Sequence, residues 1–141
     1  MTRFLLSLDR AVDTVFAAIE HALPGETYVP KVPAARVVDV AETLINGRPI
    51  PMTYTGIRPG EKIHEIMVSE EECYRTIARG EYYVICPMLP ELRPQVDEPA
   101  LVTEYSSSNI TLDHDGLREL LAEFVVDHPL RVRTGDRRQT A

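Results

Sequence analysis

The chain has 141 residues, enough for one domain with a buried core and too few for two. Hydrophobic residues make up 44% and charged residues 26%, which is typical of a soluble globular protein, and no apolar run reaches the length of a membrane span. The net charge of -7, with only two lysines, argues against nucleic-acid binding because phosphate backbones require clustered cations.

The amino terminus and the cysteines predict a cytoplasmic protein. The apolar patch at Leu5 and Leu6 is too short for an export signal, and Asp9 follows it closely. Cys73 and Cys86 are too few for a disulfide framework, so we expect free thiols in a reducing compartment. The histidines are scattered without ligand spacing, and we expect no metal site.

The first third of the chain predicts a helix, a strand and a second helix. Ser7 is placed to cap the first helix, and residues 27–29 favour a strand. The second helix begins near Ala35 and ends at Asn46 and Gly47. The first helix carries apolar residues at helical spacing, which predict a buried face: Leu8, Val12, Val15, Phe16 and Ile19.

Further along, residues 50–57 and 82–86 favour strands. Ser69 and Glu72 form a capping-box pattern for a helix that extends through Ala78, with Gly80 placed to end it. A final amphipathic helix starts at Asp113, and its predicted buried side comprises Leu117, Leu120, Leu121 and Phe124. We therefore expect an α/β domain in which a few short strands pack with helices.

Two segments differ in character from this domain, which we assign to residues 1–126. Four prolines interrupt the acidic segment 87–104, which predicts an extended arm without a regular element. Residues 127–141 carry four arginines among small polar residues and predict a flexible basic tail.

The loop at residues 56–65 has the composition of an anion-binding loop. Gly56 and Gly60 permit unusual backbone torsions, and Arg58 between them can offer paired N–H donors to a phosphate. The first amides of a helix expected after Gly60, together with Lys62, would add positive potential, and Glu61 is suited to accept from sugar hydroxyls. An ordinary strand-to-helix turn with a solvated arginine fits the same residues.

The chain lacks the sequence patterns of nucleotide-dependent catalysis. It contains neither Gly-x-Gly-x-x-Gly nor a Walker-type loop. No tyrosine is followed four residues later by lysine, a pair that supplies the acid/base groups of short-chain dehydrogenases. We assign no catalytic residue and expect this chain alone to bind no cofactor.

Four motifs in order resemble the capsular polysaccharide biosynthesis family of UDP-N-acetylglucosamine 4,6-dehydratases and related 4-epimerases. They are MTRF at residues 1–4, PKVPA at 30–34, RPGEKIHE at 58–65 and YSSSNITLD at 105–113. The resemblance covers the chain to about Phe124 and only the carboxyl-terminal part of the family. It implies the small substrate-binding domain of an extended short-chain dehydrogenase, whose full-length members carry a Rossmann half that binds NADP.

The resemblance also implies roles for three residues. It places Arg58 on the UDP diphosphate, Glu61 near the ribose and Arg3 near the phosphates. For Arg3, a mobile terminal cation is the competing interpretation.

The expected function is UDP-sugar binding by a truncated or split enzyme that is inactive alone, partnered by a separate Rossmann-half polypeptide or by copies of itself. The alternative is a non-catalytic interaction or oligomerisation module derived from the same family.

Overall fold

The computed structural model of the protein describes residues 1–92 and 98–127, with side chains given as far as Ala122. Four helices and seven short strands form an α/β domain, as predicted. The helices are α1 (Leu8–His21), α2 (Val37–Ile45), α3 (Glu70–Cys73) and α4 (His114–Asp127). The strands are β1 (Thr2–Phe4), β2 (Thr27–Pro30), β3 (Ala34–Arg36), β4 (Ile66–Val68), β5 (Thr76–Arg79), β6 (Tyr82–Ile85) and β7 (Tyr105–Ser106).

The strands form three small antiparallel sheets: β1 with β3, β2 with β6 and β5, and β4 with β7. The main core cluster draws on two of these sheets and on α3, and Phe4 of the β1–β3 sheet packs against it. Val29, Val68, Cys73, Ile85 and Tyr105 are buried together there. Because several short strands each contribute one or two residues, the core depends on long-range contacts more than on any single element.

Local sequence signals mark several boundaries correctly. Ser7 caps α1 by accepting a hydrogen bond from the Arg10 amide at 3.2 Å. Asn46 ends α2 in the left-handed conformation at φ 47°, and Ser69 and Glu72 form the predicted capping box. Asp113 accepts a hydrogen bond from the Gly116 amide and so caps the first turn of α4.

The predicted strand at residues 50–57 is wrong. This segment is irregular, and its residues from 51 onward are exposed. Pro49 and Pro51 cannot donate to a ladder, and among the described residues no strand pairs with this segment.

The predicted helix through Ala78 is also wrong, because α3 stops at Cys73. The β-branched residues Thr76 and Ile77 instead enter β5, which turns at Gly80 and pairs with β6. The helix expected after Gly60 is likewise absent: residues 61–65 are irregular and lead into β4, whose Ile66 pairs with Ser106 of β7. Long-range pairing prevails over local helix propensity in both places.

The first helix does not bury its apolar face. Leu8, Phe16 and Ile19 are 79%, 63% and 76% exposed, and no residue of α1 is fully buried. The amphipathic spacing predicts the helix correctly, but within the described part of the chain nothing covers its apolar stripe.

Several predictions fall partly or wholly beyond what the structure describes. The segments 87–92 and 98–104 contain no helix or strand, whereas residues 93–97 of the predicted arm and residues 128–141 of the predicted basic tail lie outside the described residues. In the ranges that are described, every helix is too short or too polar to cross a bilayer.

Candidate functional site

Three of the four motifs meet in one hydrogen-bond network around the side chain of Thr2. The Thr2 hydroxyl lies 2.8 Å from Nδ1 of His64 and 2.6 Å from the Ser107 hydroxyl. Thr2 and Ser107 are buried, so the bond between their hydroxyls is shielded from water. The network joins the amino-terminal strand, the end of the 56–65 loop and the serine segment.

Glu65 fixes the same junction from the loop side. Its amide donates to the Ser107 hydroxyl at 2.9 Å, and its carbonyl accepts from the Ser107 amide at 2.8 Å. Its carboxylate accepts from the Phe4 amide at 3.1 Å, with the other oxygen 3.5 Å from Nε of Arg3. Sequence reasoning assigned Glu65 no role beyond its place in a motif, and only the fold reveals it as the residue that anchors the loop.

The fourth motif joins through Tyr105. Its phenol accepts a hydrogen bond from the Val32 amide and donates one to the Val32 carbonyl, both at 2.9 Å. The ring packs on Phe4 and Tyr83 with centroid separations of 5.0 Å in each case. Burial raises the pKa of this phenol above its ordinary value. All four motifs therefore belong to one continuous structural unit.

Arg3 is ordered by this unit. Its guanidinium donates to the Thr2 carbonyl at 2.7 Å and to the Lys62 carbonyl at 3.0 Å, and the side chain is only 29% exposed. In the structure, Arg3 is therefore a bonded residue of the domain and differs from the solvated terminal cation of the competing interpretation. Two of its N–H groups donate to protein carbonyls, so fewer remain to bind an anion.

Arg58 and Glu61 form a braced turn. Gly56 and Gly60 adopt φ values of 77° and 85°, which residues with a Cβ rarely tolerate. The Glu61 carboxylate accepts from the Arg58 amide at 2.9 Å, and the Glu61 amide donates to the Arg58 carbonyl at 3.1 Å. The Arg58 side chain is exposed, and its guanidinium has no hydrogen-bond or ion-pair partner among the described residues.

All three predicted residues are connected to the 56–65 loop: Arg58 and Glu61 lie in it, and Arg3 of β1 bonds to it. Glu61 braces the turn that presents Arg58, and Arg3 holds the loop at Lys62; no direct contact joins Arg3 to Arg58. A helix amino terminus does not contribute here, because the expected helix is absent. The arrangement can offer one free guanidinium to an anion, with Lys62 nearby in sequence.

An apolar groove of about 500 Å³ borders this loop. Its wall is built from Gly56 and Ile57 of the loop, the segment before it and α2. The other residues that line it are Met1, Val37, Val38, Ala41, Met52, Thr53, Tyr54, Thr55 and Ile63. A second groove is lined by Phe4, Lys62, Glu65, Ile66 and Met67.

Comparisons with known proteins match most of this unit. Residues 1–87 match the family model described as polysaccharide biosynthesis protein. A UDP-N-acetylglucosamine 4,6-dehydratase (inverting) of Campylobacter jejuni is 37% identical over 89 residues, which are 63% of this chain and 26% of that protein. A UDP-glucose 4-epimerase of Rickettsia felis is 37% identical over 131 residues, covering 86% of this chain and 38% of that protein.

The fold is shared with a solved structure, the X-ray structure of Pen from Bacillus thuringiensis. The TM-score is 0.76 at 25% identity, and the match covers 88% of this chain and 39% of that one. The chain therefore spans about a quarter to two-fifths of the length of the relatives it matches.

Proposed function

Because the chain belongs to the polysaccharide biosynthesis protein family, we propose that it is the UDP-sugar-binding part of a dehydratase or epimerase, with Arg58 as its diphosphate ligand. The resemblance inferred from the four motifs is confirmed by the family match. One observation carries the proposal. The guanidinium of Arg58 has no bonding partner among the described residues, while two hydrogen bonds between Arg58 and Glu61 hold the turn that carries it.

Preorganisation of the loop favours anion binding at Arg58. A loop that is already fixed by Glu61 and by the Arg3 bond to the Lys62 carbonyl loses little entropy when an anion binds to Arg58. A planar guanidinium can then pair two N–H donors with two phosphate oxygens. Arg3 acts in this proposal mainly as the residue that holds the loop, with a secondary electrostatic contribution to the phosphates.

Glu61 has two roles in the proposal. One carboxylate oxygen, Oε2, accepts from the Arg58 amide. The other, Oε1, has no hydrogen-bond partner within the described ranges and is the atom we assign to a ribose hydroxyl.

We further propose that this chain does not turn over a UDP-sugar by itself. In the part of the chain that the structure describes, the strands of all three sheets pair antiparallel, and none leads through a glycine-rich turn into a helix. These residues do not fit NADP, which the full-length family is expected to use. The cofactor would have to be held by a Rossmann half, in a separate polypeptide or in a longer form of this protein.

Titration calorimetry with UDP and with inorganic pyrophosphate tests the site. Without a Rossmann half, this domain supplies only one wall of the binding cleft. We therefore expect a dissociation constant on the order of 1 mM, which is a binding free energy of about 4 kcal/mol. Arg58→Ala should abolish binding of both ligands. Arg58→Lys should restore little, since an ammonium cannot reproduce the paired donors.

Arg118→Ala is the matched control, because Arg118 is an exposed arginine on α4 whose recorded ion-pair partner is Asp115. It should bind UDP as the unchanged chain does. If Arg58→Ala binds UDP as well as the unchanged chain, the loop is an ordinary turn and the assignment is wrong.

The exposed apolar face of α1 favours a second candidate function, that of an association module. Its residues would be covered by the Rossmann half of the family in the first proposal and by another copy of this chain in the second. Sedimentation analysis distinguishes them: a monomer that binds UDP supports the first, and an oligomer that does not bind UDP supports the second.

A further inference from the structure

A cluster of metal-ligating side chains lies between α2 and α4, away from the Arg58 loop. Asp39 and Glu42 are three residues apart on α2, and His114 is the first residue of α4. One ligand atom from each lies within 4.8 Å of the other two. We propose that these three residues bind a divalent transition metal ion of the zinc class.

The donor set selects the class of metal. One imidazole nitrogen and two carboxylate oxygens suit Zn²⁺ or Co²⁺, whereas Ca²⁺ and Mg²⁺ prefer sites built entirely from oxygen. Three protein ligands leave a fourth position for water in a tetrahedral site. The two negative charges from Asp39 and Glu42 offset the positive charge of the ion.

The geometry requires only a small adjustment. Tetrahedral ligands at about 2.0–2.2 Å from zinc lie about 3.5 Å apart, so the present spacing must shorten by roughly 1 Å. Glu42 and His114 are exposed and can make this change by side-chain rotation. Asp39 is held more firmly, since its side chain is 13% exposed.

Asp39 already has one cationic partner, Arg36, which a metal ion would have to displace. The Oδ1 atom of Asp39 is buried and has no hydrogen-bond donor aligned with it in the structure. The Arg36 guanidinium lies 2.9 Å from this atom as an ion pair, but that side chain is 63% exposed. Arg36 therefore competes with a metal ion for the Asp39 carboxylate. Because the Arg36 side chain is mostly in water, this ion pair is weak enough to be displaced.

Two further charges oppose the ion. Arg118 lines the same small cavity as Glu42 and His114, and the amino terminus of α4 adds the positive end of a helix dipole. We therefore place the site at moderate affinity. The site could not be predicted from the sequence, because residues 39 and 114 are brought together only by the packing of α2 against α4.

The test uses the full chain and Zn²⁺ as the only ligand. Calorimetric titration should show one ion bound per chain, and Co²⁺ should give the visible absorption of a low-coordinate site. His114→Ala and Glu42→Gln should each weaken binding about tenfold or more. Zn²⁺ should also raise the melting temperature of the unchanged chain but not that of His114→Ala.

His21→Ala is the matched control. His21 is exposed on α1 and lies 3.7 Å from a carboxylate of Glu20, yet no third ligand was found with this pair in the described residues. It should bind Zn²⁺ as the unchanged chain does, and Arg36→Ala should bind it at least as tightly. Undetectable binding at millimolar Zn²⁺, or binding that survives both His114→Ala and Glu42→Gln, overturns the proposal. UDP binding at Arg58 is a separate measurement, so the two proposals can fail independently.

Discussion

The phenol of Tyr105 exchanges two hydrogen bonds with the backbone of Val32, across 73 residues of sequence. One bond is accepted from the amide and one is donated to the carbonyl, which is the pairing a neighbouring strand would otherwise provide. Val32 is 5% exposed, so water cannot replace either bond. A single side chain thus completes the backbone bonding of the PKVPA motif.

Tyr105→Phe should lower the free energy of unfolding by about 1–3 kcal/mol. The ring packing would remain, but a buried N–H and a buried carbonyl would lose their partner. Urea denaturation measures the change. Tyr54→Phe is the control, since Tyr54 is 73% exposed and the loss of its hydroxyl should change stability by less than about 0.5 kcal/mol. Equal effects of the two variants would show that the Val32 bonds contribute little.

Glu26 and Arg79 form the most buried ion pair among the described residues. Nη1 and Nη2 of Arg79 each donate a hydrogen bond of 2.8 Å to one oxygen of the carboxylate, and the Glu26 side chain is 1% exposed. The hydrogen bond from Arg79 holds the pKa of Glu26 below its ordinary value of 4.5. Tyr28 also accepts a hydrogen bond from Arg79, at 2.6 Å.

The stability that Glu26 contributes should depend on pH. Because its pKa is lowered by folding, the unfolded chain binds the proton more readily, so the contribution is full above about pH 4.5 and is lost as the pH falls through the folded-state pKa. At pH 7, Glu26→Gln should cost about 2 kcal/mol. The difference from the unchanged chain should shrink below pH 4.5.

Urea titrations at pH 7 and at pH 3.5 measure this difference. Glu20→Gln serves as the control, because that side chain is exposed on α1 and should show no comparable change. A Glu26→Gln cost that stays constant between the two pH values would contradict the assignment.

Both cysteines should be unreactive in the folded chain. Cys73 and Cys86 are both buried thiols, and burial raises the pKa of the Cys73 thiol, with the charge of Glu70 adding to the effect. The Cys73 thiol also donates to the Thr103 carbonyl at 3.0 Å. A thiol reagent at pH 7.5 should modify neither residue until denaturant is added, because the thiolate is the reactive form. Rapid modification of one thiol in the native state would show that its cover opens easily.

The sequence predicted those features that depend on a few neighbouring residues. The cap at Ser7, the end of α2 at Asn46, the start of the last helix near Asp113 and the strand at β6 all follow from local backbone chemistry. The order of the four motifs was sufficient to indicate the family.

Features that depend on distant partners were not predictable in this way. Residues 66–68 become a strand because β7 lies beside them. Glu65 anchors the loop only because the fold places Ser107 and Phe4 within hydrogen-bonding distance of it. The same reason explains the metal-ligating cluster at His114. For α1 the error is of another kind: its spacing correctly indicates an apolar stripe, but spacing alone does not say whether this domain supplies the cover.

The exposed stripe of α1 leads to a prediction about association. Phe16→Lys and Ile19→Lys together should change the free energy of unfolding by less than about 0.5 kcal/mol, because both side chains are already mostly in water. The same change should reduce the binding of a hydrophobic dye and any self-association seen by sedimentation. Leu117→Ala on α4 is the contrasting variant: that side chain is fully buried, and its loss should cost about 2–5 kcal/mol. A large loss of stability in the Phe16/Ile19 variant would mean that the stripe is already packed in solution, and α1 would then not be available to a Rossmann half.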